Sequence, residues 1–260
     1  MKRSDTLSAA RSQWRENLDT GRRTNECAFM NTTPRLRHAV LIAVIAVLSL
    51  AFIGPVTPAQ ATTPKPLPAC SYADTKTPLQ AYAAGAATLV DTAYTLSKTY
   101  SPTDLVSSST AGINGGFSLR KIVIPDMKAM AAAARSAGVK IGIDSGFRTW
   151  SGQASLFNRY VGYLGYAAAL LRVARPGHSE HELGTTFDLV DYRGAYAWVG
   201  ANGWKYGFVL SYPSRKTAVT CYQSEPWHFR WEGRARASLI HASGLTIREW
   251  LWKNVASSHF

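Results

Sequence analysis

At 260 residues the chain has room for one well-buried domain with a tail, and 46% hydrophobic against 17% charged residues is not a disordered composition. A net charge of +13 points to acidic surroundings, either nucleic acid or an anionic wall or membrane surface, and says nothing about fold. The three cysteines, Cys27, Cys70 and Cys221, contain no C-x-x-C pair, which argues against a thiolate zinc site.

Residues 1–29 are polar and charged, and Met30 is a candidate start of an ordinary signal peptide. Arg35, Arg37 and His38 precede an unbroken apolar run, Ala39 to Ile53, followed by Ala59-Gln60-Ala61. A basic flank, a short apolar core and an A-x-A site describe a secretory signal over residues 1–61, cleaved after Ala61. The core is shorter than the ~20 residues of a membrane span. An uncleaved anchor would give the same outward topology. Export, to the extracellular space or the cell wall, leaves Cys70 and Cys221, which are expected to pair as one disulfide.

Residues 62–77 begin with a Pro/Thr-rich stretch and read as a linker, and the domain is expected over 78–260. From Pro78 to about Tyr100, apolar residues including Leu79, Tyr82, Leu89 and Tyr94 recur near helical spacing. Residues 107–118 read as a loop. Pro125 opens a helix with Met127, Met130, Ala131 and Ala134 on its apolar stripe, stopped by Gly138. Val139 to Ile143 alternates as a strand and delivers Ser145-Gly-Phe-Arg148 at its end. Ser151 is a candidate cap for the next helix. Arg175-Pro176-Gly177 is a turn, and the aromatic, Gly- and Pro-rich stretch up to Trp231 reads as short strands and turns. A final helix is expected over about Thr246 to Asn254. Helices first and short strands later favour an α+β domain.

Two segments carry chemistry. In Ser179-Glu-His181-Glu-Leu-Gly184-Thr-Thr-Phe-Asp188, a histidine and an aspartate can converge across a glycine turn. Glu225-Pro-Trp-His228 adds a second imidazole and a free carboxylate. A catalytic zinc takes three protein ligands and keeps one position open. Glu225 could then act as a general base, provided irregular backbone turns it back towards the metal, because residues three apart face opposite ways on a regular strand.

The pattern S-x-H-x-x-G-x-x-x-D with E-x-W-H some forty residues later resembles the VanY-type D-alanyl-D-alanine carboxypeptidases, within the wider lysostaphin, D-Ala-D-Ala and hedgehog-like zinc group. Ser145-Gly-Phe-Arg148, Arg175-Pro-Gly177 and Gly207 to Pro213 stand in the order of that family's landmarks, and the resemblance covers about 79–254. It implies helices packed on a small antiparallel sheet with a zinc cleft, and a single Zn2+ held by His181, Asp188 and His228. It further implies Glu225 as base and Arg148 at the developing oxyanion. Gln153 and Ser179 would hold the substrate's terminal carboxylate and backbone, and Trp227 would line the site. The implied substrate is the peptide stem of peptidoglycan, with release of terminal D-alanine.

His178 departs from the aromatic residue common at that position, and a surface role is expected for it. Glu180 is open between a partner of a metal ligand and a surface group. Asp144, Asp191 and Glu182 read as local hydrogen-bonding groups, and His38, His241 and His259 as structural or exposed. No basic–aromatic interleave suggests nucleic acid, and G-x-S-x-G is absent. A monomer is expected, with membrane contact only through an uncleaved signal. Rivals are an L,D-carboxypeptidase, a peptidoglycan endopeptidase, and a non-catalytic zinc-stabilised wall-binding module.

Overall fold

The computed structural model describes residues 65–78 and 87–255. The signal segment, its cleavage site and the start of the 78–100 helix expectation lie outside the described residues. From Ala87 onward that helix is not formed. The Asp91 carboxylate instead accepts the N–H groups of Ala93 and Tyr94 at 2.8 and 2.9 Å, a local bond that competes with helix. Tyr94–Thr95 (β2) then pairs in parallel with Thr75–Lys76 (β1).

Residues 65–77, read as a linker, are fastened to the domain. Trp252 Nε1 donates to Lys65 O at 2.8 Å and Arg248 donates to Pro68 O at 3.1 Å. Cys70 is joined to Cys221 with a Cα–Cα separation of 5.4 Å.

Leu105–Ser107 (β3) and Ser118–Arg120 (β4) form an antiparallel ribbon, where a loop was expected to start and end. Ile124–Ser136 (α1) has Pro125 in its first turn and buries Met127, Met130, Ala131 and Ala134, the stripe read from the sequence. The next strand is Ile143–Ser145 (β5), displaced from the expected 139–143. Asn114 brackets Ile143 there, accepting its N–H at 2.8 Å and donating to its carbonyl at 2.6 Å. Trp150–Leu164 (α2) is capped by Thr149, whose hydroxyl accepts Gly152 N–H, and not by Ser151. A short helix, Tyr166–Leu170 (α3), follows.

Thr186–Leu189 (β6), Phe208–Leu210 (β7) and His228–Trp231 (β8) join β5 in an antiparallel sheet of order β5-β6-β8-β7. Between β6 and β7, Ala195–Asn202 (α4) is a helix where strands and turns were expected. Its Tyr, Trp and Val have strand propensity, but Ala195 and Val199, four apart, are both buried, and tertiary packing overrides propensity. Thr217–Thr220 (α5), Arg234–Ser243 (α6) and Ile247–Asn254 (α7) complete the domain. Thr246 and Glu249 cap α7 reciprocally.

Strand alternation divides the sheet's residues between two faces. Phe187, Leu189, Phe229 and Trp231 join Met127, Met130 and Val199 in the main apolar cluster. Asp188, His228 and Arg230 point the other way. The C-terminal helices form a second cluster, Ile240, Ile247, Leu251 and Trp252, with Ala87, Leu89 and Tyr94.

Candidate active site

The register places Asp188 of β6 opposite both His228 of β8 and Ser145 of β5, so three strands contribute to one line across the polar face. His181 is brought over that line by a 3-10 turn, Glu180–Leu183, started by Ser179, whose hydroxyl accepts His181 N–H at 3.3 Å. Gly184 ends the turn at φ +73°, and a Cβ there would stand 2.8 Å from Arg120 Cγ. Conformation and space both call for glycine.

His181 Nε2 lies 3.2 Å from Asp188 Oδ2, and His228 Nδ1 lies 3.2 Å from Asp188 Oδ1. The opposite ring nitrogens are occupied. His181 Nδ1 is 2.7 Å from Gly146 O, and His228 Nε2 is 2.9 Å from Glu180 Oε2. A carbonyl and a carboxylate only accept, so each of these nitrogens carries a proton, which leaves His181 Nε2 and His228 Nδ1, the atoms beside Asp188, as the ring nitrogens that a metal would use. Gly146 is tightly placed for this task, since a Cβ on it would fall 2.6 Å from Ser118 O.

Ligand atoms of His181, Asp188 and His228 lie within 4.8 Å of one another. Asp188 Oδ1 is buried without an aligned hydrogen bond, despite its closeness to His228. Two imidazole nitrogens and an orphaned carboxylate oxygen fit a divalent cation with mixed N/O ligands.

The electrostatics agree. Burial would raise the Asp188 pKa, but His181 and His228 outweigh it and hold it well below the usual carboxylate range. Burial disfavours charge on His228, yet the close carboxylates of Asp188, Glu180 and Glu225 raise its pKa well above the usual value.

Behind His228 stands a buried charge ladder. Glu180 accepts from Ser211 Oγ at 2.6 Å and from Arg230 at 3.0 Å, and Arg230 also pairs with Glu232 at 2.8 Å. Burial pushes the Glu180 pKa up, but Arg230 first and then His228 bring it down to about 2. Glu180 is therefore not a surface group: it is 4% exposed and fixes the ring of His228. Its adjacency to His181 was the available hint. Ser211 and Arg230 carried no signal beyond Arg230 being two residues from His228 on one strand.

Glu225 lies just before β8 in a turn closed by His228 N–H to Glu225 O, which returns its carboxylate to 3.3 Å from His228 Nδ1. Arg148 donates to Gln153 Oε1 at 2.6 Å and to Ser145 Oγ at 2.8 Å. The Gln153 amide also donates to Ala174 O at 2.6 Å, so both its ends are engaged within the protein. Ser179, Gln153 and Arg148 line one cleft with the three metal-fitting residues and Glu225, and Trp227, 38% exposed, lies on its rim.

His178 is buried, not at the surface. Its ring contacts Asp91 O at 2.7 Å and Asp74 at 2.9 Å, fastening the N-terminal segment. Asp144 and Asp191 are exposed, whereas Glu182 is buried and accepts Gly177 N–H at 2.7 Å. His241 is exposed and stacks on Trp204 with ring centroids 4.2 Å apart. His38 and His259 lie outside the described residues.

A His/Asp/His group on a small antiparallel sheet, with a carboxylate at its edge and an arginine across the cleft, defines a class: metal-centred hydrolases with one open cleft. The profile of the VanY D-alanyl-D-alanine carboxypeptidases matches residues 116–234. The chain belongs to this VanY-type family. It is 32% identical over 182 residues to the putative carboxypeptidase YodJ of Bacillus subtilis (strain 168), covering 64% of this chain and 66% of that one. Among solved structures, a point mutant of the vancomycin-resistance D,D-pentapeptidase VanY, in complex with Zn(II), superposes with a TM-score of 0.58 at 29% identity, covering 64% of this chain and 98% of that one. The LD-carboxypeptidase LdcB gives 0.60 at 28% identity, covering 70% and 98%. The chain spans 66% or less of the length of the curated relatives it matches.

Proposed function

We propose that this protein is an exported zinc carboxypeptidase that releases terminal D-alanine from peptidoglycan stem peptides. The observation that carries the reading is the Glu225 carboxylate, 3.3 Å from the metal-facing nitrogen of His228 in the cleft that also holds Arg148. His181, Asp188 and His228 are the zinc ligands. When bound, the ion supplies Lewis-acid activation of water and of the scissile carbonyl.

The chain's own residues supply the rest. Glu225 Oε2 takes a proton from the attacking water and passes it to the leaving amine of D-alanine, so that water and the peptide bond become a carboxylate and an amine. Arg148, held by Gln153 and Ser145, presents fixed positive charge to the oxygen that becomes negative. Glu180 and Gly146 O keep both imidazoles in the tautomer that binds metal. Ser179 and Gln153 shape the wall that receives the terminal residue, and Trp227 covers its rim. The Cys70–Cys221 bridge supports an oxidising compartment and so export. The protein acts as a monomer in this reading.

The test is Glu225→Ala. It should keep one zinc per chain and lose about 10²–10⁴-fold in D-alanine release. Unchanged hydrolysis by that variant refutes the base. A second reading, L,D-cleavage of the shortened tetrapeptide stem, is favoured by the likeness to LdcB. Penta- and tetrapeptide stems assayed side by side decide between the two, and internal fragments would instead mark an endopeptidase.

A further inference from the structure

Three charged cleft-lining groups already face neighbours within the protein. Asp188 and Glu225 are turned onto His228, and the Arg148 guanidinium donates to Gln153 and Ser145. Another cation lines the same cleft. Arg172 is exposed, and its guanidinium has no hydrogen-bond or ion-pair partner among the described residues.

Its backbone, by contrast, is fixed. Arg172 N–H donates to Ala169 O at 3.0 Å, and Gln223 N–H ties Leu171 O at 2.9 Å to the loop that leads to Glu225. Two residues on, Ala174 O accepts from Gln153, the residue that holds Arg148. The turn carrying Arg172 is thus bonded both to the base loop and to the arginine-holding glutamine. A cation on hydrogen-bonded backbone, beside a cleft whose own carboxylates face His228 and not Arg172, is suited to an anionic group that arrives with the ligand.

We infer that Arg172 is a specificity-determining residue that pairs with a carboxylate of the bound stem peptide. This rests on the cleft being a stem-peptide site, as proposed above. Two carboxylates could be the partner: the C-terminal one of the leaving residue, or one on the side chain of a diamino diacid at the third stem position. The pairing acts in binding, because Arg148 already occupies the position beside the metal ligands.

The experiment uses the zinc-loaded full chain as wild type, Arg172→Gln and Arg172→Lys. The probe is a synthetic stem pentapeptide with a side-chain carboxylate at the third residue, and D-alanine release is followed. Arg172→Gln should raise KM about tenfold, with kcat within twofold, and Arg172→Lys should recover most of the loss. Two further peptides, one with lysine at the third position and one with a C-terminal amide, are measured as competing ligands. The peptide for which wild type and Arg172→Gln bind alike identifies the carboxylate that Arg172 reads. A KM within twofold of wild type, a fall in kcat alone, or a difference that survives both peptides overturns the inference. Failure of the wild type to release D-alanine from any stem would be a separate result, sinking the proposed function and this inference with it.

Discussion

The two faces of the four-stranded sheet are built from the same strands and held by different physics. On one face Phe187, Leu189, Phe229 and Trp231 meet α1 and α4 in an apolar cluster that is complete without any ligand. On the other, alternate residues of the same strands carry Asp188, His228 and Arg230, and His181 and Glu180 are folded over them. Dispersion and water exclusion stabilise the first face and depend little on pH. The second contains buried charges whose desolvation must be offset by partners, and it is complete only with a cation between two imidazoles and Asp188. Function resides on the face that is electrostatically incomplete.

Substitutions at adjacent registers, one on each face, separate the two most directly. Phe187→Ala should cost about 3–5 kcal/mol in denaturant unfolding, by the same amount with zinc or chelator and at any pH where the protein folds. Arg230→Ala should cost a similar ~3–5 kcal/mol at neutral pH, because Glu180 and Glu232 lose their buried partner. That cost should shrink as acid protonates the two glutamates, and zinc affinity should fall about 10–100-fold with the support of His228 disturbed. Equal pH dependence in the two variants would erase the distinction between the faces.

Metal removal sharpens the contrast at somewhat smaller scale. Zinc at a thousandfold excess over its Kd should stabilise the wild type by about 4 kcal/mol, seen as a fall in Tm on adding chelator. Glu225→Ala should keep that shift and His228→Ala should lose it. A chelator-sensitive Tm in His228→Ala would place the metal elsewhere.

The same division governs what could be read from the sequence. The apolar face announced itself: the Met127, Met130, Ala134 stripe gave α1, because burial imposes a period. The metal-fitting triad was legible because His181, Asp188, Glu225 and His228 sit in two tight segments that complete each other. The supports were not. Ser211 and Arg230 act through sheet register and through contacts 31 and 50 residues from Glu180, which no local pattern encodes. The misread stretches have local causes: Asp91 diverts the 87–95 backbone from helix, and the aromatic composition of α4 mimics a strand.

Glu182 offers the finest test, since it neighbours Glu180 in sequence and has the opposite fate. Burial pushes its pKa up to about 7, against the lowering by the N–H groups of Gly177 and Ser179 and by the Arg148 charge. The ordinary value is 4.5, so between about pH 4.5 and 7 the folded protein keeps a proton that the unfolded chain has released. The folded state therefore binds more protons in that window, and its stability falls as pH rises through it. The contribution is fully present below the unfolded pKa and lost above the folded one, with a total of about 3 kcal/mol. Glu182→Gln removes the titration while keeping an acceptor for Gly177 N–H. In metal-free protein, so that no cation biases the carboxylate, the wild-type stability curve should drop relative to the variant's by about that amount across the window. Parallel curves would mean that Glu182 titrates alike in the folded and unfolded chain, and that two N–H groups and the Arg148 charge offset its burial without the direct arginine pairing that Glu180 has.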